Sequence, residues 1–82
     1  MDAAWIETPG HLYVRKSNGH VFVISYDSAA TIAQVKRMIK SKEHIPISRQ
    51  RLIYPRTGKQ LEDHHTLGEY GIPGSSFLAL MP

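Results

Sequence analysis

KEHIPISRQRLIY (residues 42–54) and GKQLEDHHTLGEYGI (residues 58–72) are the two stretches whose reading decides the fold. The first begins on the basic end of a helix and meets Pro46, which has no N–H to carry a helix onward. Arg51-Leu52-Ile53-Tyr54 then reads as a short strand. Pro55 and Gly58 mark a turn, and Gln60-Leu61 a second short strand. Leu67, Tyr70 and Ile72 anchor a compact, turn-bearing segment after it. Leu52 and Ile53 are strand neighbours, so they point to opposite faces. If Leu52 is core, Ile53 is outside.

Upstream, Thr31 and Gln34 have the spacing of a capping box, in which hydroxyl and amide each satisfy an orphan backbone N–H. Ile32, Val35 and Ile39 follow on one stripe of a helix. Lys36, Arg37, Lys40 and Lys42 read as a solvated face off that stripe, and bases in the last turns suit the helix dipole. Before the helix, HLYVRKSNGHVFVISY (residues 11–26) reads as a hairpin. Leu12 and Val14 alternate with Tyr13 and Arg15, Asn18-Gly19 suits a turn with positive φ, and Phe22 and Ile24 alternate with Val21 and Val23. At the other end, SSFLALMP (residues 75–82) is a last strand with Leu78 and Leu80 on one face and Phe77, Ala79 and Met81 on the other. The order is two strands, a helix, two strands, a turn segment and a strand. The fold class is α+β, a mixed sheet of about five strands gripping one helix.

The chain has 82 residues and reads as one small domain with a modest core. It has no cysteine, which removes disulfides, thiolate metal sites and thiol catalysis. No apolar run approaches the roughly 20 residues of a membrane span, so a cytoplasmic or nuclear domain is expected. Residues 1–10 carry Asp2 and Glu7, have no period and end in Pro9-Gly10, which reads as a tail or linker before a domain at 11–82. Trp5 and Ile6 are apolar enough to fold back onto that domain. Net charge is +3, with ten Lys and Arg against seven Asp and Glu. An excess of this size keeps a small domain soluble and does not by itself name a partner.

The two opening stretches carry a resemblance. They are similar to the ubiquitin family, in which K-E-G-I-P, Q-R-L-I-F, G-K-Q-L-E-D and T-L-x-x-Y-x-I occur in this order, and the likeness runs from about His11 to Pro82. It implies the β-grasp, ubiquitin-like roll. It also implies an apolar patch on the open sheet face, centred on Ile53. The patch's C-terminal aliphatic position falls on Met81, with Ala79 where ubiquitin has a His. Arg51 and Lys59 match flanking bases, Gly58 matches the glycine of the adjoining turn, and the hairpin-loop Leu is replaced by Ser17. An apolar centre with a charged rim is how a small interface looks. The resemblance therefore implies protein partners: ubiquitin-binding domains, or proteasome or unfoldase subunits. Conjugated relatives run on into a flexible tail ending Gly-Gly. Here Met81-Pro82 closes the sequence, so a non-conjugated interaction module is expected, with a truncated modifier as the alternative.

A second alternative lies in the turn after Tyr54, which has two residues more than ubiquitin's. Tyr54-Pro55-Arg56 resembles the Phe-Pro-Arg signature with which UBX domains grip the AAA+ unfoldase valosin-containing protein, where an aromatic and an Arg fork make the anchor. A second surface is formed by His11, Tyr13, Val21 and Val23, whose exposed valines could pair with another strand; a monomer is nonetheless expected. The five histidines, His11, His20, His44, His64 and His65, are not expected to hold a metal, because zinc needs three or four converging ligands and adjacent residues rarely aim at one ion. No cofactor is expected. There is no G-x-S-x-G elbow and no Gly-rich phosphate loop, so no catalytic residue is assigned and the chain does not read as an enzyme. The helix-face bases lack the stacking aromatics of single-strand binders, which disfavours nucleic acid.

Overall fold

Thr31 sets the start of helix α1 (Ile32–Glu43). Its hydroxyl accepts from the Gln34 N–H at 3.2 Å, and the Gln34 side chain accepts from the Thr31 N–H at 2.8 Å, the reciprocal box that the spacing predicts. A computed structural model describes residues 10–81. The expectations for the tail, including Trp5, and for Pro82 lie outside the described residues. The strands are β1 (His11–Lys16), β2 (Val21–Ser25), β3 (Arg51–Tyr54), β4 (Lys59–Gln60) and β5 (Phe77–Met81), with a 3-10 turn at Ile47–Arg49. They form one mixed sheet in the order β2-β1-β5-β3-β4. The hairpin β1–β2 is antiparallel, β5 runs parallel to β1 between it and β3, and β3 pairs antiparallel with β5 and β4.

Alternation in each strand gives the sheet one apolar face. Leu12, Val14, Phe22, Ile24, Leu52, Tyr54, Leu78 and Leu80 are buried with Ile32, Val35 and Ile39 of the helix, while Leu61, Leu67 and Ile72 close the far end. Burial of this apolar area is the main force holding helix to sheet. The hairpin loop, between Lys16 and Val21, is four residues long. Gly19, at φ 91°, takes the left-handed position, and the Gly19 N–H donates to the Lys16 carbonyl at 2.9 Å. Gly68 serves a different need. Its N–H donates to the Ser28 carbonyl at 2.8 Å, and a Cβ there would lie 3.0 Å from the same oxygen.

Three details depart from the reading of the sequence. The fourth strand is Lys59–Gln60, and Leu61 follows it as a buried anchor rather than a strand residue. Lys36 is not on a solvated face. Four residues after Ile32, it lies on the buried stripe, and its ammonium reaches out to the Asp63 carboxylate at 2.6 Å. Tyr54, the aromatic of the alternative Tyr54-Pro55-Arg56 anchor, is buried at 7% exposure because it shares a strand face with Leu52.

The end of the helix carries a local cost. His44 is its C-cap in the left-handed region, φ 59° and ψ 31°, and its N–H donates to the Lys40 carbonyl. Side chains with a Cβ are disfavoured there, and glycine is the usual occupant. His44→Gly is expected to raise the unfolding free energy by about 1 kcal/mol. The check is a urea denaturation in which the midpoint rises at unchanged slope.

Candidate functional site

The helix covers one face of the sheet and leaves the other open. Strand register sets what that face presents. Tyr13 sits across from Val23 on one side and Phe77 on the other, a row over β2, β1 and β5. The next row is Val21, Arg15, Ala79, Ile53 and Gln60, running across all five strands. Met81 and Arg51 form a third. Ile53, Ala79 and Met81 are half-buried, while Arg51, Gly58 and Lys59 are exposed. Alternation puts these side chains on the open face, and the register gathers Ile53, Ala79 and Met81 with charged and polar groups at their margin.

Phe77 was not among the sequence-derived site residues, yet it is 52% exposed and stacks on Tyr13 with ring centroids 5.0 Å apart. Its signal was the alternation of Phe77, Ala79 and Met81 opposite Leu78 and Leu80. Phe77 also changes the relation between the two surfaces expected separately. Tyr13, Val21 and Val23 share the open face with Ile53, Ala79 and Met81, and Phe77 and Arg15 stand between the groups. His11 lies at the end of that face, opposite Ser25 in the register.

The β3–β4 turn is tied by the N–H groups of Thr57 and Gly58, which donate to the Tyr54 carbonyl at 3.1 and 2.8 Å. Pro55 and Arg56 are exposed at its tip. With Tyr54 in the core, the turn offers a proline and a guanidinium, not an aromatic anchor.

A family model described as the ubiquitin family matches residues 12–81. The chain belongs to the ubiquitin family. The mixed five-stranded sheet on one helix is its β-grasp fold. Ubiquitin-like protein 4A of Xenopus laevis is 37% identical over 70 residues, covering 85% of this chain and 46% of that protein. Ubiquitin-like protein NEDD8 of Dictyostelium discoideum is 38% identical over 68 residues, covering 83% of this chain and 86% of that one. The probable ubiquitin receptor RAD23 of Oryza sativa subsp. japonica is 41% identical over 71 residues, covering 83% of this chain and 18% of that protein. The chain thus spans about half the length of the 4A protein and about a fifth of the RAD23 proteins. Among the described residues, no helix of this ubiquitin-like chain is long and apolar enough to cross a membrane.

The turn after β4 brings two adjacent histidines and a carboxylate together. His64 and His65 have ring centroids 4.3 Å apart, and Glu62 lies beside them. Behind them Glu69 accepts from the Thr66 N–H at 2.8 Å and contacts His65 Nδ1 at 3.2 Å. The Thr66 N–H, then the His65 ring, hold the Glu69 carboxyl below its ordinary range.

Proposed function

We propose that this ubiquitin-like chain is a protein-interaction module. It docks partners of the ubiquitin-receptor or proteasome type through Ile53, Ala79 and Met81, with Arg51, Lys59 and Gly58 at the rim. The observation that carries the reading is the apolar group on the open sheet face, where Ile53 pairs with Ala79 and Met81 with Arg51 in the strand register. Family membership supports it, as does the likeness to a protein whose name is probable ubiquitin receptor. An aliphatic helix laid across this face would bury the patch and leave the bases to order the approach. Met81 adds an adaptable side chain suited to more than one partner. Affinity in the micromolar range or weaker is expected, because area does not convert simply into affinity.

The test is an NMR titration of ¹⁵N-labelled protein with a ubiquitin-binding helix, then with the unfoldase N-domain. Shifts clustered at Ile53, Ala79 and Met81 on adding the helix are expected, and Arg56→Ala should leave them unchanged. Shifts confined to residues 54–57 with the unfoldase domain would replace the reading with the adaptor one. Binding lost steeply with added salt would indicate a phosphate-rich partner instead.

A further inference from the structure

The turn between Leu61 and Leu67 is held from both sides. Those two leucines are buried. Between them, the Asp63 and His65 carbonyls accept from the Ala33 and Ile32 N–H groups at the start of α1, at 3.1 and 2.9 Å. The Glu62 N–H donates to the Tyr70 hydroxyl at 2.9 Å. A short backbone fixed at residues 62, 63 and 65 sets where the Cα–Cβ bonds of the turn start. Glu62, His64 and His65 all project their donor atoms into one region, within 4.8 Å of one another. His64 Nε2 and Glu62 Oε1 are 3.9 Å apart.

We propose that Glu62, His64 and His65 form a zinc site on this turn, with Glu69 as the positioning residue behind His65. Two imidazoles and one carboxylate are a donor set that zinc takes readily, whereas magnesium and calcium prefer oxygen alone. Bonds of about 2.0–2.1 Å at tetrahedral angles put donors about 3.4 Å apart. Closing to that distance takes side-chain rotation, which the exposed Glu62 and His64 can supply around the half-buried His65. Asp63 does not compete, because Lys36 holds its carboxylate. Glu69 meets His65 at Nδ1. A carboxylate there keeps the proton on Nδ1 and leaves Nε2 free for the metal, the outer-shell arrangement common behind metal-bound histidine. Three protein ligands leave a fourth position open to water or to a donor from a partner.

The test is calorimetric titration of zinc chloride into the intact chain at neutral pH. One equivalent should bind, and the heat should disappear in His64→Ala and in His65→Ala. It should persist when His11, His20 and His44 are all replaced by Ala. Glu69→Gln keeps an oxygen for the Thr66 N–H but loses the charge behind His65. Affinity should fall about tenfold in that variant while the metal-free melting temperature holds. In wild type the His65 ring ¹⁵N shifts should report the Nδ1–H tautomer. No binding by wild type, binding that survives loss of both His64 and His65, or heat lost with the other three histidines would each overturn the site. None of these results bears on the open sheet face, so the zinc site and the interaction surface stand or fall separately.

Discussion

Leu52→Ala is expected to lower the unfolding free energy by about 3 kcal/mol, near the middle of the range for a fully buried leucine. Leu52 has no exposed surface and lies opposite Leu80 in the β3–β5 pairing, under the helix. Its methyl groups have no solvent to relax into, so truncation leaves a cavity lined by rigid neighbours. A domain this small has a stability of only about 5–10 kcal/mol in total. The loss should therefore lower the melting temperature by about 15 °C. A scan by circular dichroism checks it. A shift of only a few degrees would mean that the helix collapses into the space, and the packing described for β3 would need revision.

Ile53→Ala, one residue along, should behave in the opposite way. Ile53 faces away from the helix, half-buried between Ala79 and Gln60, so its truncation should cost about 1 kcal/mol of stability or less. Binding is where its effect should appear. A central aliphatic anchor in a small patch costs about 2 kcal/mol on truncation, roughly a thirtyfold loss of affinity. The measurement is affinity for the ubiquitin-binding helix, with the melting temperature as control. If Ile53→Ala folds and binds as wild type does, the proposed docking surface is wrong. The contrast between adjacent residues matters because any general loosening of β3 would affect both properties together. Only a sheet with one core face and one contact face separates them.

Much of this architecture was readable along the chain, for reasons that can be named. The helix start was legible because Thr31 and Gln34 act over three residues, and a local hydrogen bond needs no distant partner. The strand faces were legible because a period of two assigns sides once one side is known to be core. The membership of Leu78 and Leu80 in the core, and the outward placement of Ala79 and Met81, followed in the same way. Lys36 was misread because charge argues for solvent, whereas its place four residues after Ile32 argues for burial. A long alkyl chain satisfies both when Asp63 meets its tip. The burial of Tyr54 was legible too, because parity with Leu52 places its ring inside.

By itself, then, the sequence determined the element order, the capped helix, the apolar face of each strand and the family. All of these rest on interactions a few residues long or on motifs kept in order. Tertiary structure alone decided which separated residues share a surface. Inserting β5 between β1 and β3 puts Phe77 and Ala79 beside Tyr13 and Arg15, merging two surfaces that lie far apart in the chain. Docking residues 63 and 65 on the first turn of α1 sets the bend that gathers Glu62, His64 and His65. Register between distant strands and the closure of a turn on a helix end are non-local, and no periodicity in the chain encodes them.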